Sequence, residues 1–493
     1  MTPQLIVLAA ILLPAALYLG LALRENRRGI TIGTFYPLSR FLPGRQFGRS
    51  TAAAGVSLAT VVLALLNLAP LMGLGLLVTI LSYSASFLLL YFVAPTILRA
   101  NRENQTLQSF LGSSYRSEAV RIASLIFSFL GYASIFSMEL IVGVTVLEPI
   151  FPNSVLLAAT LFLLFIITYS AVGGFRAVVA TEQWQIRAVL IAVASLVLFA
   201  FAIWNTTRPA SLGEMALQTL GSWNVGWAFC LGIIVMNLPA PISDAATWQR
   251  LCATRSEADA QAGLRYAIVL FALIWGTLIV AGTFISTVAT RAGLFDPASG
   301  TLIAFIMSSM AGGDLLASLL LFAFTLGLFA ALITTADSLL LICAQLVSID
   351  VLRLHEAPVS PAGRLSRTRI VLIAIGLLSF LLFVLFRWLQ LDVVSLVFAI
   401  YGAQLALFPA TAAALLGSYA PRWKLSAGAA IVSIAGGYAA GWASALYGRI
   451  GGTQEWIYNA PAVALGTSLL LLLASLPLRE KGEPSGREDE HSA

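Results

Sequence analysis

The sequence predicts an all-α polytopic membrane protein of about 13 transmembrane helices, arranged around an inverted five-helix repeat. Three observations carry this. The 493 residues are 59% hydrophobic and only 10% charged, with a mean hydropathy of +0.92, whereas soluble domains hold roughly 25% charged residues. Apolar runs of about 20 residues recur along the whole chain, each long enough to cross a bilayer as a helix. The basic residues fall on alternate connections: 24 of the 28 Lys and Arg lie on one side, leaving only Arg208, Arg291, Arg387 and Arg449 on the other. Such an asymmetry orients a membrane protein with its basic loops inside.

Taken in order, spans are expected near 4–23, 50–72, 75–97, 120–148, 154–172, 182–203, 225–246, 265–289, 315–347, 368–386, 392–418, 426–447 and 459–478. The first has no basic segment before it and reads as a retained helix rather than a cleaved signal peptide. With the N-terminus outside and the C-terminus in the cytoplasm, the arginine pattern fits a multi-pass protein of the cell membrane, in contact with the lipid bilayer. One transmembrane domain covers residues 1–478: an extra N-terminal helix (1–24), a first repeat (50–203), a second (223–418) and two C-terminal helices (426–478). The charged tail 479–493 lacks periodicity and is expected to be disordered. The longest polar connections, 24–49 and 98–119, are too short for a soluble catalytic domain.

Composition also excludes function classes. The arginines sit in short loops rather than on one basic surface, which argues against nucleic acid. Cys230, Cys252 and Cys343 form no metal or disulfide framework. The two histidines, His355 and His491, lie in polar segments, so the intramembrane histidine that most membrane-embedded enzymes need is missing. The expectation is that the chain is not an enzyme.

Two spans are interrupted. Span two ends "LLNLAPLMGLG", with Asn67, Pro70, Gly73 and Gly75, and span seven contains "VMNLPAPISD", with Asn237, Pro239, Pro241 and Asp244. Proline removes a backbone donor and obstructs the preceding turn, so a break is expected at these prolines. Freed carbonyls inside a bilayer must find a neighbour, water or an ion. The two spans lie five apart and run in opposite directions, as in an inverted repeat, and matching interrupted helices point to a transporter's midplane site.

Span nine carries the costliest groups. In "ALITTADSLLL", Thr334, Thr335, Asp337 and Ser338 interrupt an apolar helix, and an aspartate at the helix centre costs about 2.5–3.5 kcal/mol to insert. Thr334, Asp337 and Ser338 share one face at i, i+3 and i+4, and their hard oxygens suit a small hard cation such as sodium. The bland alternative has the threonines bonding back to the preceding turn and Asp337 capping or snorkelling. At residues 169–187, "YSAVGGFRAVVATEQWQIR", a glycine pair breaks the chain after span five and Glu182 starts span six. There Glu182 either complements the helix dipole, the favoured reading, or lines the inner exit of a cation path. Glu139 is the one carboxylate deep in span four, available to hydrogen-bond a solute, carry a proton or pair with a group such as Gln404. No Lys or Arg is expected deep in any span, so no buried ion pair is expected.

These residues resemble the solute:sodium symporter family, over about residues 4–450. "YSAVGGFRAVVATEQWQ" is similar to the family's Y-x-x-x-G-G-x-x-A-x-x-x-T-D-x-x-Q, "SDAATWQRLCATRSEADA" follows span seven, and "TTADS" resembles S-T-A-D-S. The resemblance implies a LeuT-type fold and sodium-coupled symport of a small organic solute by alternating access. It implies that Thr334 and Thr335 give side-chain oxygens to the principal sodium, with the carbonyls of Ala331, Ala59 and Val62, or of Leu58 and Val61 one residue away. A second sodium would be held by Thr334, Asp337, Ser338 and Glu182, the last departing from the family's aspartate. Span two has no acidic group, which leaves Thr60, Asn67, Glu139, Asn237 and Gln404 as candidates around a neutral, zwitterionic or amine-bearing solute. A proton-coupled transporter of the same fold, titrating Glu139, Glu182 or Asp337, and a transporter-like solute sensor are the alternatives.

Overall fold

Hydropathy this high leaves the backbone no partner in a bilayer but itself, and the chain accordingly folds as helices. The computed structural model describes residues 2–101, 106–312, 314–389, 393–419 and 426–474. The elements are α1 (Pro3–Arg27), the short α2 (Ile32–Phe35), α3 (Gly44–Ala54), a π-helical turn (Leu58–Leu63) continued by α4 (Ala64–Met72), α5 (Leu77–Ala100), α6 (Leu107–Ser114), α7 (Glu118–Leu147), α8 (Val155–Thr207) and α9 (Leu212–Gly221). They continue with α10 (Trp227–Asn237), α11 (Ala240–Ser243), α12 (Ala245–Cys252), α13 (Glu257–Arg291), α14 (Leu302–Met310), α15 (Leu315–Gln345), α16 (Pro361–Trp388), α17 (Val393–Gln404), α18 (Leu407–Tyr419), α19 (Ala427–Ile450), α20 (Gln454–Tyr458) and α21 (Ala460–Ala474). The tail 479–493 lies outside the described residues.

Among the described residues nine helices are long and apolar enough to cross a membrane, or up to eleven if each of two bent pairs is one span. Every one of the expected segments falls on a helix or a broken helix. Two segments account for the lower count. The 53-residue α8 holds two expected spans, separated where Gly174 takes φ 58°, ψ −156°. The last apolar helix, Ala460–Ala474, is described for only 15 residues. Gly174 tolerates the left-handed region that a side chain resists, and Phe35 lies against it so closely that a Cβ would meet the ring at 2.7 Å.

The two bent pairs are α3 with the π turn and α4, at 57°, and α10–α11 with α12, at 43°. The second bend lies just beyond the prolines: Leu238 and Pro239 keep helical torsions, and the chain turns at Asp244, which is extended (φ −91°, ψ 117°) before α12 begins. The first does not follow its proline. Pro70 sits inside the last turn of α4, and the chain bends instead at Gly55–Ser57, well before it. Ser57 is extended (φ −67°, ψ 142°) and its hydroxyl accepts from Thr60 N at 2.8 Å, so a capped helix starts there. The C-terminal end of α4 is satisfied from elsewhere: Leu74 N donates to Ser222 O at 2.7 Å, and Asn224 donates to Met72 O and Leu71 O.

α3 packs on α13 through three glycines. A Cβ on Gly48 would stand 2.6 Å from the Gly263 carbonyl, and one on Gly263 would stand 2.6 Å from the Gly44 carbonyl. Close backbone approach of this kind replaces the missing hydrophobic drive between helices in lipid. Burial separates the centre from the rim: the apolar windows of α7 and α15 are 67% and 61% buried, against 33% for α1 and 28% for α16. On the basic face, Arg99 forms a bidentate pair with Glu257 at 2.8 and 2.7 Å, and Leu42 N and Phe41 N both donate to Ala253 O.

Candidate functional site

The two bent pairs, α5, α7, α13, α15 and α17 enclose a cavity of about 220 Å³. Its wall is mainly apolar and aromatic. Tyr83 and Trp275 stack with centroids 4.4 Å apart and planes at 15°, backed by Phe87 and Phe271, and Phe398 and Tyr401 close another side. Trp275 is held by its indole N–H, which donates to Gly55 O at 3.2 Å at the first break.

Of the residues singled out from sequence, Thr60, Asn237, Gln404, Thr335 and Ser338 line this cavity. Asn237 is committed there to α5, donating to Ser82 Oγ at 2.8 Å and Thr79 O at 3.3 Å. Asn67 and Glu139 lie off the cavity. Glu139 is fully buried and accepts from the Ser57 hydroxyl and, at 3.3 Å, from Ala59 N. Its partner is therefore the start of the π turn and not Gln404, which lies against Gly131, about two turns earlier on α7.

Span nine brings its polar group to α8, α12 and the π turn. Thr334 and Asp337 are fully buried, and Thr335 and Ser338 are 5% exposed. The hydroxyls of Thr334 and Thr335 have no hydrogen-bond partner, so they do not bond back to their own helix, and one oxygen of Asp337 is equally unpaired. Unpaired buried polar atoms are rare and call for an explanation. Ala331 lies one turn earlier on the same helix, and Ala59 and Val62 lie in the π turn packed against α15. The π turn itself shows a wide backbone bond, Val62 N to Ser57 O at 3.1 Å.

The expectation of no buried ion pair is overturned. Arg250, counted from sequence with the inner loop, is 3% exposed within α12, and its Nη2 donates to Glu182 Oε1 at 2.7 Å and to Ser338 Oγ at 2.5 Å. Its Nε donates to Ser50 Oγ at 3.2 Å, and the Ser50 hydroxyl in turn contacts Glu182. Glu182 is fully buried two turns beyond the Gly174 break, so it complements a guanidinium rather than a helix dipole. The residues that sequence reasoning missed are Arg250, Asp244, Tyr132, Tyr83 and Trp275. Asp244 was visible as a breaker beside Pro241. The aromatic residues carried no separate signal in an apolar chain.

Asp244 caps α12: its Oδ2 accepts from Thr247 N at 2.7 Å and Thr247 Oγ1 at 2.6 Å. Its Oδ1 accepts from the Tyr132 hydroxyl of α7 at 2.6 Å, and Tyr132 accepts in turn from Ala245 N. Among the described residues no cluster of three or more His, Cys, Asp or Glu could hold a metal ion.

Comparison with known proteins places this architecture. Residues 35–218 match the sodium:solute symporter family. Among curated proteins no match is found. The chain is similar in structure to a Na+-coupled sialic acid symporter in a substrate-bound outward-open state, at 19% identity and a TM-score of 0.78, covering 96% of this chain and 98% of that one. It is also similar to a nucleobase-cation-symport-1 family transporter in a closed conformation (15% identity, TM-score 0.58, 90% and 94% covered). A manganese transporter of Eremococcus coleocola shares the fold at 12% identity and a TM-score of 0.53, with 91% and 99% covered. Over residues 35–218 the chain thus carries the sodium:solute symporter pattern, and over nearly its whole length it has the LeuT-type fold of a multi-pass membrane transporter.

Proposed function

We propose that this protein is a sodium-coupled symporter of a small organic solute, working by alternating access. The observation that supports it best is the pair of buried, unpartnered hydroxyls on Thr334 and Thr335 beside the π turn. In this reading sodium takes those two oxygens together with the carbonyls of Ala331, Ala59 and Val62, and the solute takes the adjoining cavity. Hydroxyls and carbonyls are hard neutral ligands that a small cation satisfies without any proton transfer. Sodium bridging α15 and the π turn favours the conformation that keeps these elements together, and differential affinity of the two states for the ion is enough to couple the fluxes.

Of the second sodium group of the sequence reading, Glu182 and Ser338 have a resident cation in Arg250, which supports one sodium per cycle rather than two. The arginine asymmetry favours the cell membrane, with the N-terminus outside and the C-terminus in the cytoplasm.

The test is thermal stabilisation of the purified protein by sodium against potassium, with Thr335→Ala alongside. A ligand bound only by the folded state raises apparent stability as its concentration passes its dissociation constant. A sodium-specific rise with a Hill coefficient near one, lost in Thr335→Ala, is the expected result. A flat sodium response with a steep dependence on pH would instead support proton coupling.

A further inference from the structure

The cavity contains two charged side chains, Asp244 and Arg250, and they are not equivalent. Arg250 is matched within the protein by Glu182 at 2.7 Å and held by Ser338 and Ser50. Asp244 has no Lys, Arg or His within ion-pair distance among the described residues. Glu139 lies off the cavity, behind Ser57. The space therefore faces one uncompensated carboxylate.

Helix capping accounts for only one of its oxygens. Oδ2 takes both donors of Thr247, the usual work of an Asp before a helix. Oδ1 takes a single hydroxyl donor, Tyr132, from a different helix. An ionised carboxylate offers about four acceptor sites, so Oδ1 keeps one for a donor from the cavity. A second feature is independent of the cap: Gln404 also lines the cavity, with its Nε2 set against Gly131 and unpartnered. The third is the wall itself, in which the Tyr83–Trp275 stack gives one side an extended aromatic surface.

We propose that the transported solute is a small organic monocation with a planar apolar body, its charged nitrogen paired with Asp244 and its body lying along the aromatic wall of Tyr83, Trp275 and Phe398. The proposal deepens the symporter reading and rests on it. Asp244 is half-buried with no cationic neighbour in ion-pair reach, so a cationic solute gains by pairing with it, a neutral one gains nothing from its charge and an anion is opposed. Aromatic faces attract the same cations. The volume suits a molecule of this kind: at about 10–15 Å³ per water, 220 Å³ holds roughly 15–20 water-sized groups, enough for a small aromatic amine.

Three probes of one shape and different charge test this on the purified full-length protein in saturating sodium: phenethylamine, 2-phenylethanol and 3-phenylpropionate, read by thermal shift and by quenching of tryptophan fluorescence. The expected result is that phenethylamine half-saturates the response at a concentration at least about tenfold lower than either of the others. Asp244→Asn should erase that preference while keeping the sodium shift, and Asp244→Glu should retain it. An equal or stronger response to the alcohol or the acid overturns the proposal. So does the absence of any response to phenethylamine, or an undiminished amine preference in Asp244→Asn. If Asp244→Asn does not fold, the wild-type comparison of the three probes decides by itself. Loss of the sodium shift in the wild type would strike the coupling reading instead, and the charge preference of the cavity would still be measured.

Discussion

Arg250 and Glu182 form a pair with 3% and 0% side-chain exposure, and removing one partner of such a pair strands a charge. Breaking a buried pair costs about 3–5 kcal/mol, while replacing both members with apolar groups of similar volume is often neutral. Arg250→Met is therefore expected to lower the melting temperature sharply, Glu182→Leu likewise, and the double variant to recover most of the loss. Equal and additive losses in thermal melts would mean that the two groups act separately. The pair also marks what sequence reading could not reach. Arg250 stands six residues beyond the break at Asp244, where a count of loop charges takes it for a cytoplasmic anchor. Its partner lies 68 residues away, and nothing in either segment announces the other. Thr334, Thr335, Asp337 and Ser338 were legible because their cost in an apolar helix is a property of the segment itself. Glu139 was legible as an anomaly but not in its role, since its partner Ser57 lies on another helix.

At the scale of elements, the π turn is held at its first residues by side chains rather than by proline. Ser57 caps it, and Glu139 accepts from Ser57 and from Ala59 N. Ser57→Ala removes both the cap and one partner of a buried carboxylate. It is expected to cost about 1 kcal/mol or more in stability and to raise the sodium concentration needed for half-maximal stabilisation. An unchanged sodium midpoint would detach this turn from ion binding. Gly174→Ala is a test of a different joint. The substitution puts a side chain at φ 58° and against Phe35, with a backbone cost of roughly 1–3 kcal/mol before any clash. Lower yield and a lower melting temperature are expected, and wild-type behaviour would show that the kink is not needed. Sequence placed the span-seven break within about a turn, since Asp244 follows Pro241 closely. It misplaced the span-two break because Pro70 is tolerated near a helix end, whereas the actual bend depends on a carboxylate supplied by α7.

For the whole molecule, hydropathy and the arginine asymmetry foreshadowed the arrangement of helices, since lipid imposes both on the sequence directly. They also favour an orientation that can be checked. After replacement of Cys230, Cys252 and Cys343, a single cysteine at Arg291 should react with an impermeant maleimide on intact cells. One at Arg364 should react only after permeabilisation. The reverse pattern would invert the topology. The packing of Gly44 and Gly48 against Gly263 joins α3 to α13 too closely for larger side chains. Gly48→Leu is expected to force these helices apart and to abolish a monodisperse peak in size-exclusion chromatography.

The pairing of Arg250 with Glu182 has an electrical consequence. A membrane field acts on a displaced elementary charge by about 2.3 kcal/mol per 100 mV. Two opposite charges 2.7 Å apart that move together present no net charge to it. If α12 swings with its partner, the pair itself adds nothing to the voltage dependence of the empty protein, which falls to the uncompensated Asp244 at the start of α12. Neutralising Arg250 alone would unbalance the pair, leaving Glu182 as an added gating charge and enlarging the capacitive current of the unloaded protein.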